Sequence, residues 1–118
     1  MTLLPKVNVL NLKIQKMSNY TSIILFIPPT EIVNERINEV NSYILEDGRK
    51  FGMVDVNQSP YPDIFPRVIL CGSYNHFDLD RFIKFLRERV NWKYPNNIKL
   101  LAQNDYSEHV ELYNIAGQ

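Results

Sequence analysis

The chain is short of several things that whole classes of protein need. Cys71 is its one cysteine among 118 residues, so no intrachain disulfide can form. A disulfide-built secreted scaffold is thereby excluded, and a reducing compartment fits. The four glycines stand apart, at 48, 52, 72 and 117. Neither a phosphate-cradling P-loop nor a dinucleotide fingerprint can be built from such spacing. No charge of either sign is in excess: 13 basic residues face 13 acidic ones. A general nucleic-acid binder or a polybasic membrane anchor would carry a surplus of lysine and arginine. No apolar run reaches the length of a membrane span. Asn8, Asn11 and Lys13 break the apolar residues near the start, unlike a signal peptide, so the expectation is a cytoplasmic protein.

Catalytic and metal motifs are missing as well. Cys71 and His76 do not have a structural zinc spacing, and there is no second cysteine. Ser73 near His76 offers fragments of a hydrolase, but no Gly-x-Ser-x-Gly elbow is present. The sequence therefore predicts a protein that is not an enzyme and holds no metal or cofactor. An RNA-recognition module needs a basic residue and base-stacking aromatics on its third core strand. Here that strand reads Arg67-Val68-Ile69-Leu70-Cys71, which is aliphatic, so Phe26 and Cys71 are expected in the core and no nucleic-acid partner is expected.

What is present makes one ordinary domain. Hydrophobic residues form 45% and charged residues 22% of the chain, enough to build a core without staples. Residues 1–16 read as an arm or edge strand, and 17–118 as a single domain. Ser22 to Ile27 is a continuous apolar run, expected as a strand buried on both faces and ended by Pro28-Pro29. Thr30 suits a helix N-cap. Val33, Ile37, Val40 and Ile44 share one helical face, and Gly48 would close that helix. Phe51 to Asn57 alternates as a strand, with Phe51, Met53 and Asp55 on one face and Val54 and Val56 on the other. Ser59 to Pro66 is a proline-stiffened loop. Arg67 to Cys71 is a strand closed by Gly72. A second helix runs from Asp78, its cap, to about Val90, buries Leu79, Phe82, Ile83, Leu86 and Val90, and pairs Lys84 with Asp80 and Glu88. Ile98 to Ala102 and His109 to Ile115 are the last strands.

The order β-α-β-β-α-β, with an additional strand at each end, predicts an α+β, two-layer ferredoxin-like sandwich. Such a fold would gather two sets of side chains at opposite ends. One set is acidic and tyrosine-bearing: Glu46, Asp47, Tyr74, Asn75, His76, Asp105, Tyr106 and Glu108. Its Glu46 and Asp47 fall where a helix C-terminus disfavours negative charge, a local rule broken without visible compensation. The other set is aromatic: Tyr61, Phe65, Trp92 and Tyr94, flanked by prolines and suited to an interface.

A small, neutral, catalytically bare chain with loop aromatics resembles the bacterial immunity proteins of contact-dependent and polymorphic toxin systems. The stretch Gly72-Ser73-Tyr74-Asn75-His76-Phe77-Asp78-Leu79-Asp80 also resembles segments of small bacterial proteins. The likeness carries over no residue roles. It implies a protein partner, a toxin domain such as a nuclease, occluded by the acidic end or alternatively by the aromatic one. The helical stripes and the balanced charge add the expectation of a monomer or weak homodimer with no membrane partner. The competing expectation is a dimeric ferredoxin-like protein or enzyme that binds a small molecule, with Asp55, His76 and His109 as its polar residues.

Overall fold

The computed structural model describes residues 19–57 and 68–117. The expected arm at 1–16, the proline loop from Ser59 to Pro66, and Arg67 lie outside the described residues. Strand β1 (Tyr20–Ile27) leads to helix α1 (Val33–Val40) and a two-residue strand β2 (Val54–Asp55). Strand β3 (Val68–Asn75) and helix α2 (Leu79–Glu88) follow. A short 3-10 turn (Pro95–Asn97) leads into β4 (Lys99–Asn104) and β5 (Glu111–Asn114). The strands form one sheet in the order β2-β3-β1-β4-β5, every neighbouring pair antiparallel. The extra C-terminal strand is β5, on the outer edge beside β4.

Strand β1 is not buried on both faces as its apolar run implied. Thr21, Ile23, Leu25 and Ile27 are buried, while Ser22 is exposed and Ile24 and Phe26 are half-buried. Alternation is what a sheet covered on one side requires. Across the ladder Leu25 lies opposite Leu70 and Leu100, and Ile23 opposite Ala102, so these side chains share the covered face. Val40 of α1 and Phe82, Ile83 and Leu86 of α2 enter the same cluster. Both helices thus lie on one face, giving a two-layer α+β sandwich. Phe26 and Cys71 belong to the other face. Neither is core, and Cys71 is half-buried there.

Helix α1 is shorter than its stripe. It ends at Val40, with Asn41 at the C-cap, and Ile44 is 66% exposed. Two interactions explain the early stop. The Asn41 side chain brackets Met53, donating to its carbonyl at 3.3 Å and accepting from its N–H at 2.8 Å. Tyr43 turns inward, its ring 5.2 Å from Phe51 and 4.9 Å from Phe82, both edge-on. Burying Tyr43 and Leu45 removes more apolar surface from water than continuing the helix to bury Ile44 would. At the N-terminus, Ile32 rather than Thr30 occupies the cap position, without a side-chain hydrogen bond.

The remaining expectations hold in phase but shift at their ends. Phe51 and Met53 are buried and Val54 and Val56 exposed, although only Val54 and Asp55 pair as a strand. Gly72 does not end β3, which continues to Asn75 beneath the Tyr74 ring. Asp78 caps α2 by accepting from the Arg81 N–H at 3.1 Å. The ion pairs expected of Lys84 do not close. Those formed among the described residues are Arg36 with Glu35 and Glu39, and Arg49 with Asp47.

Candidate functional site: the acidic end

The turns that carry the eight residues expected at the acidic end meet at one end of the sheet. The starting end of β1 sits between the far ends of β3 and β4. The Asn19 N–H donates to Asn75 Oδ1 at 2.8 Å, and the His76 N–H to the Asn19 carbonyl at 2.8 Å. The Asp105 N–H donates to the Tyr20 carbonyl at 2.9 Å. Arg49 ties the turn after α1 to the same place, its guanidinium donating to the Asn75 carbonyl at 2.7 Å. His76, at φ 52°, makes the sharp turn that sends the chain from β3 into α2.

Their environments differ from the expectation. Glu46 and Asp47 are not at a helix terminus, because α1 has already ended at Val40. They sit in a tight turn closed by the Gly48 N–H to the Leu45 carbonyl at 2.9 Å, with Gly48 at φ 78°. The supposed electrostatic anomaly does not exist. Asp47 is compensated: its carboxylate accepts from the Arg49 backbone N–H at 3.1 Å and pairs with the Arg49 side chain. The Arg49 backbone N–H, followed by its charge, holds the Asp47 carboxyl below the usual carboxylate value. The Arg81 backbone N–H, followed by the Arg81 charge, does the same for Asp78. A cleft of about 110 Å³ brings Glu46, Asp47, His76 and Asp78 together with Arg49 and Arg81.

Tyr74 is largely spoken for by the core. Its ring stacks on Phe51 at 4.7 Å and on Phe77 at 5.2 Å, and its hydroxyl donates to the Gly52 carbonyl. Burial pushes its pKa up to about 12. Tyr106 is the outward tyrosine, 44% exposed on the hairpin between β4 and β5 beside Asp105 and Glu108, which are also exposed. Burial and the neighbouring Asp105 carboxylate raise the Tyr106 pKa.

At the opposite end, Trp92 and Tyr94 sit in the loop after α2, while Tyr61 and Phe65 lie outside the described residues. Trp92 is half-buried against the core and donates from Nε1 to the Leu86 carbonyl at 2.9 Å. Tyr94 is 44% exposed and carries the Lys93 ammonium over its ring at 5.5 Å.

The loop is anchored by a device that residue spacing did not reveal. Glu31 is 5% exposed, and its carboxylate accepts from the Lys93 and Tyr94 backbone N–H groups at 2.9 and 2.7 Å. Glu39 grips Asn91 through its backbone and side-chain N–H groups at 3.1 and 2.8 Å. Arg36, itself buried, donates to the Asn91 carbonyl. These partners are more than fifty residues apart in sequence, so only a hint was available: acidic residues recurring along α1.

The polar residues of the small-molecule expectation do not converge. Asp55 accepts from the Asn57 and Ile69 N–H groups at 3.0 and 3.2 Å. His76 borders the acidic cleft, and His109 lies in the β4–β5 hairpin beside Ser107. An open groove of about 630 Å³ lies between the turn after α1 and the exposed side of α2, lined by Tyr43, Arg81, Lys84, Phe85 and Arg89 among others. None of the three residues borders it. Among the described residues, no group of three or more His, Cys, Asp or Glu is placed to hold a metal ion. No helix among them is long and apolar enough to cross a membrane.

Among the described residues, these features define a two-layer α+β protein with two helices on one face of a five-stranded antiparallel sheet. Comparison with protein-family models, with curated proteins and with solved structures finds no match for the chain.

Proposed function

We propose that this chain is a protein-binding domain of the immunity type, which occludes a toxin domain with its acidic end. The observation that carries the reading is the placement of exposed carboxylates at one end of the sheet with the outward Tyr106: Glu46, Asp105 and Glu108, together with Asp47, whose charge is shared with Arg49. Separate turns bring them there, and the core does not need them exposed. Carboxylates so grouped favour a basic surface, as in the active site of a nuclease, and speed the encounter with it. An exposed tyrosine beside them supplies contact area that can be desolvated. The finer architecture proposed alongside is ferredoxin-like. The crossover from β1 to β2 skips over β3, and that from β3 to β4 skips over β1, as in a split β-α-β winding. The site of action proposed is the cytoplasm of the cell that makes the protein.

The test is co-purification with the product of the neighbouring gene, together with protection of a toxin-exposed cell. Reversal of charge at Glu46, Asp47, Asp105 and Glu108 is expected to abolish protection while the circular dichroism spectrum stays unchanged. Tyr61→Ala and Tyr94→Ala test the aromatic end in parallel. Trp92→Ala is a poorer probe, because it also removes packing and the bond to Leu86. Loss of protection in the aromatic variants alone would move the interface to that end. No loss in either set would overturn the proposal.

A further inference from the structure

We infer that two copies of this chain associate face to face through the sheet surface that carries neither of the described helices. The inference is independent of the toxin reading, because it concerns a different surface. Val54, Cys71, Ile24, Leu101 and Leu112 are partners in register, so one unbroken apolar row crosses all five strands. Phe26 and Ile69 form a second paired position beside it. Both edges of the row are open, with Val54 66% and Leu112 61% exposed. Val110, 57% exposed, extends it and borders a shallow hollow of about 140 Å³ with Ile24 and Leu101. An antiparallel sheet that faces water normally turns polar side chains outward. Here the polar exceptions are at the margins, where Ser22 bonds Ser73 at 2.7 Å and lies opposite Gln103, and where Lys99 lies opposite Phe26 and Asn114.

A second copy is the occupant this chemistry favours. Lys99 is the one charged side chain in the paired rows of this face, and the exposed carboxylates described above lie at the sheet end. Such a surface offers a charged partner nothing to steer by and does not repel itself across a two-fold axis. Homodimer interfaces have this apolar character. Stacked sheets pack about 10 Å apart with interdigitating side chains, which the half-buried Ile24, Phe26 and Leu101 can provide. Strands of eight, two, eight, six and four residues, at about 4.8 Å by 3.3 Å per residue, give each copy a footprint of roughly 450 Å². Two such footprints fall just short of the ~1,000 Å² expected of a specific stable interface, so the dimer is weak.

Sedimentation equilibrium of the full chain tests this. Over about three decades of concentration around the micromolar range, the mass is expected to rise from that of the 13.9 kDa monomer toward twice that value. Leu112→Asp and Val54→Asp change exposed side chains, so both variants should fold and should weaken association at least tenfold. Ile44→Asp, equally exposed but away from the sheet, should leave it unchanged. Maleimide labelling of Cys71 should slow as wild-type concentration rises, and not in the two edge variants. A monomer at every concentration would overturn the inference. So would a dimer that survives both edge substitutions or is lost in Ile44→Asp. Cys71 protection independent of concentration would do the same, since the face would then be covered from within the chain.

Discussion

The Glu31 carboxylate accepts the backbone N–H of Tyr94 at 2.7 Å, joining the start of the first helix to a loop 63 residues away. Its other oxygen takes the Lys93 N–H at 2.9 Å. Charge-assisted bonds from a carboxylate to backbone donors are strong when water is excluded, and Glu31 is 5% exposed. Removal of the side chain would leave two donors unsatisfied. Glu31→Ala is therefore expected to cost about 2–3 kcal/mol on urea denaturation, and Glu31→Gln, which keeps one acceptor, clearly less. Equal losses in the two variants would show that packing, not hydrogen bonding, is what Glu31 supplies.

Gly72 lies beneath the ring of Tyr74, two residues along the same strand. A Cβ at position 72 would come within 2.7 Å of Tyr74 Cε2 and Cζ. Since that ring also stacks on Phe51 and Phe77, it cannot step aside freely. Gly72→Ala should destabilise by about 1–3 kcal/mol, the usual cost of overpacking. In a Tyr74→Ala background the same change should cost little. A double-mutant cycle measures this coupling, and additive losses would refute it.

Tyr74 also predicts an alkaline limb. Burial raises its pKa from 10 in the unfolded chain to about 12 in the folded one. A raised acid favours its protonated form when folded. Its contribution is thus fully present below pH 10 and is lost as pH rises from 10 through about 12. Absorbance titration of phenolate formation should show a late step near pH 12 that Tyr74→Phe reduces. Part of that step should remain, because Tyr113, hydrogen-bonded to Glu111, is likewise raised to about 12. Stability measured between pH 10 and 12 should fall less steeply in Tyr74→Phe than in the wild type.

Asp78 makes the opposite prediction at low pH. Its carboxyl is held below the usual 3.8 by the Arg81 backbone N–H and by the Arg81 charge. The cap's contribution is present above pH 3.8 and fades as pH falls below that value through the folded pKa. Asp78→Ala should cost about 1 kcal/mol at neutral pH, as loss of an N-cap does. The gap between variant and wild type should narrow in denaturation series below pH 3.8. A gap constant with pH would mean that the charged carboxylate is not what caps the helix.

Much of this protein was legible in the order of its residues, wherever period alone decides. Alternation separated Phe51 and Met53, which are buried, from Val54 and Val56, which are exposed, because successive strand residues must point to opposite faces, although Asp55, assigned to the first set, is exposed. The stripe of Phe82, Ile83 and Leu86 and the cap at Asp78 located the second helix for the same local reason. The first helix shows where such reasoning ends. Its stripe continues to Ile44, but the burial of Tyr43 against Phe51 and Phe82, and the grip of Asn41 on Met53, are gained only once distant strands are in place. Tertiary packing outweighed a helical preference worth a few tenths of a kcal/mol per residue. The same holds for the acidic end. The residues could be named in advance, but Arg49 neutralising Asp47 and Tyr74 turning into the core depend on contacts that no spacing encodes. Which face of β1 stays open was likewise decided by both helices packing on one side, because the stretch Ile23 to Ile27, apolar at every position, carries no mark of which side will be covered.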